Sequence, residues 1–190
     1  PLIKGAAKGL HKAGRLPQPF INVINADAHS GYRITEGRHS DNSFRYAMEE
    51  GFLKKYALIG LQENHNSQRV MDDLYSNINI QYASFEDICI REKMSFRQAA
   101  AQAISFMEDA FTGIELDMSC IEQMLTGTES ASGFTGLQAK QYISFAAHYS
   151  NIAYLHICEG AEKLVNGQSH AFAAKLMSEL VGDFIRENKK

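Results

Sequence analysis

The spacing of apolar residues changes period repeatedly along this chain. Short β-rich runs at 20–27 (FINVINAD), 56–62 (YALIGLQ), 78–83 (INIQYA), 112–118 (TGIELDM) and 152–159 (IAYLHICE) are each followed by turn residues and a stretch with helical spacing. That alternation predicts a strand–helix ladder, hence a mostly parallel sheet covered by helices on both faces: a three-layer α/β/α arrangement. Helix starts are signalled by Ser95 with Gln98 and by Thr135 with Gln138, pairs in which side chain and backbone satisfy each other's unpaired amides. A further helix is predicted in LIKGAAKGLHKAG (2–14), and Pro17-Gln18-Pro19 punctuates the step from it into the first strand. TGTESASGFTG (126–136) reads as a small-residue loop. Neither a repeat nor a composition shift divides the chain, so residues 1–190 are expected to form a single α/β domain.

Composition narrows the partners. Hydrophobic residues make up 45%, yet no apolar run is long enough to span a bilayer, so no membrane association is expected. Net charge is −3, from 19 basic and 22 acidic residues without a basic stripe, which argues against nucleic acid and leaves small charged molecules open. Cys89, Cys120 and Cys158 lie inside apolar segments rather than at a disulfide spacing, which with no signal-peptide pattern makes the cytoplasm the expected compartment. The chain opens on Pro1, already in helical sequence, so an upstream part is expected to precede it.

In parallel sheets chemistry collects beyond the carboxyl ends of the strands, where strand order reverses. Those ends carry Asp27 and His29; Gln62, Glu63 and His65; Glu115, Asp117 and Ser119; and Glu159. Residues two apart on an extended backbone point the same way, and carboxylates with an imidazole suit a hard divalent cation. The strand ends thus predict a metal site.

At these residues the chain resembles the ureohydrolases, the arginase, agmatinase and formimidoylglutamase family. DAHSG (27–31) is similar to the family motif DAHxD; LDMSCIE (116–122) resembles its second motif, an Asp-x-Asp at a later strand end; and Glu159 in HICEGAE resembles an acidic residue facing the substrate's amidine group. Phrases such as GIELD and YLHICEG are most similar to the formimidoylglutamase-like branch. The resemblance implies an arginase-like fold in which the five strands are the last five of eight. Side by side they would run fifth, fourth, first, second, third, with the reversal between first and fourth. It also implies a manganese-dependent hydrolase of amidine or guanidine C–N bonds in an amino-acid-derived substrate, as in histidine degradation, and leaves a homo-oligomer open. The missing upstream part would carry a further metal ligand and cover the fifth strand.

Carried over residue by residue, Asp27 and Asp117 would bridge two manganese ions, with His29 a terminal ligand of the second. Two terminal carboxylates are absent, because Gly31 and Ser119 stand where acids are expected. One Mn2+ or none is therefore expected for this chain, against two in the family. An alternative register makes Glu115 a ligand, since ELD is itself an acid-x-acid pair. His39 resembles a proton-moving histidine by position, although its loop setting also fits a surface residue. Arg33, Arg38 and Arg45 could neutralise a substrate carboxylate. His65 lies on the same rim with no partner evident in the sequence, and His11, His148, His156 and His170 read as surface or core residues. Two functions follow: a hydrolase using Asp27, His29, Asp117, Glu159 and His39, or a catalytically silent relative that keeps the fold for assembly or small-ligand binding.

Overall fold

The five apolar runs form β1 (Ile21–Ala26), β2 (Leu53–Leu61), β3 (Ile80–Ser84), β4 (Thr112–Asp117) and β5 (Ile152–Cys158). They line up in the order β3-β2-β1-β4-β5, every neighbouring pair parallel. This computed structural model describes residues 2–188 apart from 109, 127–130, 150, 162, 168 and 170. His170 and part of the 126–136 loop thus lie outside the described residues.

Helices α1 (Leu2–Lys12), α2 (Ser43–Glu49) and α3 (Gln68–Ser76) cover one face; α4 (Phe96–Phe106), α5 (Gly136–Ala147) and α6 (Ala171–Glu187) cover the other. Side-chain alternation fixes the sorting. Ile24, Ala26, Ile114 and Leu116 pack towards α4–α6, whereas Ile21, Val23, Tyr56 and Leu58 pack towards α1–α3. Both predicted capping boxes form, at the starts of α4 and α5. Strand β1 is buried along its whole length; edge strand β5 is half-buried along its whole length.

Two strand starts differ from the sequence expectation by more than one residue. Strand β2 begins three residues early, because the ammonium groups of Lys54 and Lys55 lie over the rings of Phe20 and Phe106 at 5.0 and 4.8 Å, so lysines that read as loop continue the strand. Strand β3 begins at Ile80, leaving Ile78 outside it and 89% exposed.

The strand order reverses between β1 and β4, since β2 and β3 extend the sheet to one side of β1 while β4 and β5 extend it to the other. The crevice at that switch point is where the two acidic motifs end.

Candidate functional site

Register sets two polar rows across the sheet on its α1–α3 side. The deeper row is Asn25, Glu115 and His156, paired directly across β1, β4 and β5. One alternation further, at the carboxyl edge, come Asp27, Asp117 and Cys158, the last two being register partners. Sequence spacing had placed Asp27 and Asp117 at strand ends; strand pairing brings them to one crevice.

Both carboxylates are held by the backbone turns they begin. Asp27 Oδ1 accepts the His29 amide at 2.8 Å, and Oδ2 accepts from Asn25 Nδ2 at 3.1 Å. Asn25 also donates to the Tyr56 hydroxyl at 3.1 Å, and Tyr56 in turn donates to the Ser30 carbonyl at 3.0 Å. Asp117 caps the short turn Met118–Cys120, accepting the Ser119 amide at 2.8 Å, with Cys158 Sγ 3.7 Å from its other oxygen. Burial, reinforced by the charge of Asp27, pushes the Asp117 carboxyl up to about 6.

The His29 ring sits 3.7 Å from Asp27 Oδ1, an ion-pairing rather than hydrogen-bonding distance. That carboxylate raises the imidazole pKa against the burial that lowers it. His29 also stacks on His65, centroids 4.9 Å apart, and burial followed by the His29 charge lowers the His65 pKa. The pairing of His65 is therefore with a ring, across two loops. Two carboxyl groups side by side, with an imidazole next to one of them, make a crevice suited to a cation, whether metal or organic.

The positions expected to complete a metal pair do not do so. Gly31 is buried with φ +57°, and a Cβ there would lie 2.4 Å from Cδ2 of Phe44. The Phe44 ring is itself stacked on Tyr56 at 4.4 Å, so the space a ligand at position 31 would need is filled by packed aromatic carbon. Ser119 Oγ is buried without a well-formed hydrogen bond among the described residues, although it lies close enough to the Asp117 carboxyl to oppose the burial that raises that group's pKa. Glu115 has both oxygens engaged, accepting from the Tyr154 hydroxyl and from His156 Nδ1, each at 2.6 Å. Among the described residues no group of three or more His, Cys, Asp or Glu side chains is arranged to hold a metal ion. The donor set does not fit a pair of manganese ions.

The remaining expected residues divide between two places. Arg33 pairs with Asp41 at 3.0 Å, and both border a cleft of about 240 Å³ beside His29 and His65. Arg38 instead pairs with Glu50, and both line a separate cavity together with His39. The His39 ring contacts Asn42 at 2.9 Å, and His39 lines that cavity rather than the cleft beside His29. Arg45 is held by Glu49 and Asp73. Glu159 follows β5 with an exposed side chain and a left-handed backbone, φ +60°, rare for a residue with a side chain and a form of strain that gathers at functional edges. Sequence reasoning missed Asn25, whose two-residue offset from Asp27 could have flagged it, and the His156–Glu115–Tyr154 cluster, which only strand pairing creates.

Comparison with known proteins agrees with the geometry. The model of the Arginase family matches residues 1–182. A formimidoylglutamase from Macrococcus caseolyticus (strain JCSC5402) is 33% identical over 72 residues, covering 38% of this chain and 23% of that protein. Among solved structures, the formimidoylglutamase from Bacillus subtilis subsp. subtilis str. 168 superposes with a TM-score of 0.80 at 18% identity, over 98% of this chain and 57% of that one. The Trypanosoma cruzi formiminoglutamase with Mn2+ gives 0.75 at 17% identity, over 96% and 60%, and arginase from Bacillus cereus 0.73 at 14%, over 99% and 76%. The chain spans less than two thirds of the length of the formimidoylglutamases it matches. With an all-parallel sheet in the expected strand order and a family match over nearly its whole length, the chain belongs to the arginase family.

Proposed function

We propose that this chain is a formimidoylglutamase-like ureohydrolase relative that keeps the carboxylate pair of the amidine site and has lost its second metal position. It binds an amidine- or guanidine-bearing, amino-acid-derived molecule and hydrolyses its C–N bond slowly or not at all. The observation that carries this reading is the packing of Phe44 into the space beside Gly31. A planar amidinium offers paired N–H donors that match carboxylate oxygens, so Asp27 and Asp117 can receive it directly. Asn25 and the His29 amide fix the orientation of Asp27, the Ser119 amide fixes Asp117, and Glu159 and Arg33 at the rim meet the ends of the molecule. Asp27 and Asp117, with His29 beside Asp27, would hold at most one loosely bound, largely hydrated divalent ion, which would compete with the amidinium for the two carboxylates.

Hydrolysis of formiminoglutamate, arginine and agmatine, followed by release of formamide or urea with added manganese, tests the catalytic half. Turnover at rates typical of metabolic enzymes, on the order of 1–10³ s⁻¹, overturns the reading. Calorimetric titration of the same three molecules tests the binding half: at least one should bind saturably, and Asp117→Asn should abolish it. Failure of all three to bind removes the amidine assignment and leaves the fold to serve assembly.

A further inference from the structure

The amino ends of the strands, opposite the Asp27–Asp117 edge, carry a charge unlike that of the whole chain. Residues 1–26 include no acid, although acids outnumber bases by 22 to 19 overall. Helix α1 folds this bias into one face. Its apolar positions Ile3, Ala7 and Leu10 turn towards the sheet, which leaves Lys4, Lys8 and Lys12, spaced by four, on a flank away from it, with Arg15 following on the same side. Helical spacing thus builds a basic stripe where the charge balance predicted none. The helix end fixes Arg15: Gly14 takes φ +71°, its amide and that of Arg15 donate to the His11 and Leu10 carbonyls at 2.9 Å each, and His11 Nδ1 lies 2.9 Å from the Leu16 carbonyl.

A row of rings underlies these cations. Phe20, Phe52 and Phe111 lead into β1, β2 and β4 and are joined across the sheet, the Ile21 amide donating to the Phe52 carbonyl and the Asn22 amide to that of Phe111. Lys4 and Lys8 stand over Phe52 at 4.9 and 5.4 Å, Lys54 over Phe20 at 5.0 Å, and Arg15 over Phe111 at 5.0 Å. Lys4 also pairs with Glu50, and the adjoining Lys55 with Glu108. Lys8, Lys12, Arg15 and Lys54 are exposed and form no ion pair among the described residues. Balancing the carboxyl end of the α1 dipole accounts for Lys12 but not for the other three.

Four permanent, unopposed cations are complementary to an anionic partner. Three of them are lysines, point charges without the planar fork that suits phosphate. The one guanidinium lies over Phe111, and each ring that could stack a base already carries a cation. We infer that this face docks an acidic segment of a partner protein, a helix whose carboxylates recur every four residues. Such a helix advances about 6 Å per step, so laid along α1 it meets Lys8 and Lys12 in turn and reaches Arg15 and Lys54 past the helix end. Because rings hold Lys8, Arg15 and Lys54 in place, less side-chain freedom is lost on docking. The patch lies at the opposite edge of the sheet from Asp27 and Asp117, so a docked partner leaves the amidine crevice open.

The test titrates the chain, at low ionic strength, with an alanine-based peptide of about 16 residues, long enough to populate a helix, carrying glutamate at every fourth position. The same peptide with glutamine and an oligouridylate of equal charge are the comparisons. The glutamate peptide should bind saturably, shift the amide resonances of α1 and of residues 13–16, and weaken as salt is raised. The glutamine peptide should not bind, and the oligouridylate should bind less tightly. Lys8→Gln combined with Lys12→Gln, at exposed helical positions that glutamine suits, should weaken the glutamate peptide about fivefold, the loss of two exposed charge pairs. Lys175→Gln, which removes an exposed charge from α6 across the sheet, should leave its affinity unchanged. No binding of the glutamate peptide, equal binding of the glutamine peptide, tighter binding of the oligouridylate, or an equal loss in Lys175→Gln overturns the assignment.

Discussion

Replacing Gly31 by aspartate would restore the family's acid by name, yet the structure predicts that it destabilises the fold. The backbone at this position has φ +57°, where a side chain adds strain of about 1–2 kcal/mol. The new Cβ would also lie 2.4 Å from Phe44 Cδ2. Since Phe44 is buried and stacked on the fully buried Tyr56, its ring can yield only by leaving that stack towards the cavity it lines, an overpacking cost of about 1–3 kcal/mol. Together these give a loss of roughly 2–5 kcal/mol for Gly31→Asp. Removing the obstacle provides the control: Phe44→Ala alone costs about 3–5 kcal/mol, but in its presence Gly31→Asp should retain only the backbone part. Urea denaturation of the parent, both single variants and the double variant measures the coupling, expected at about 1–3 kcal/mol in the direction of mutual relief. A Gly31→Asp variant within about 0.5 kcal/mol of the parent, or simple additivity in the cycle, would refute the claim that Phe44 seals the position.

Other consequences can be checked on the same chain. Asn25→Ala removes a buried amide that both Asp27 and Tyr56 use, and should lower stability by about 1–3 kcal/mol in the same denaturation assay. Ser119→Ala deletes a buried hydroxyl without a well-formed hydrogen bond among the described residues and should be neutral or stabilising by about 1 kcal/mol, whereas a marked loss would mean that the hydroxyl is bonded. Contact with Glu115 raises the His156 pKa above its ordinary value of 6.5, so the pair's contribution is fully present below that pH and lost as pH rises through the raised value. Thermal melts from pH 6 upward should show that loss in the parent and not in Glu115→Gln.

Much of the architecture was legible because it rests on local signals. Continuous apolar runs such as that of β1 follow from burial on both faces of a parallel sheet, and Ser95 and Thr135 announce their helices through a four-residue motif. Asp27 and Asp117 were legible for a related reason: each begins the turn that leaves its strand. What stayed hidden depends on contacts between distant segments. That Phe44 lies against Gly31 is a matter of how α2 docks beneath the β1 loop, and no spacing rule encodes it. The engagement of Glu115 depends on the β4–β5 register, which the alternation of neither strand specifies alone. His39 and Arg38, read from loop position, turned to the second cavity because the 38–43 segment folds towards α1 and α2.

Metal stoichiometry bears on the central claim most directly. Manganese added in steps to the metal-free chain, with free ion followed by electron paramagnetic resonance and heat by calorimetry, should reveal no more than one weak equivalent, abolished by Asp27→Asn. Two tightly bound equivalents would contradict the account, because they would require ligands beyond Asp27, His29 and Asp117, at a position packed against Phe44 or at a Glu115 that gives up its bonds to Tyr154 and His156.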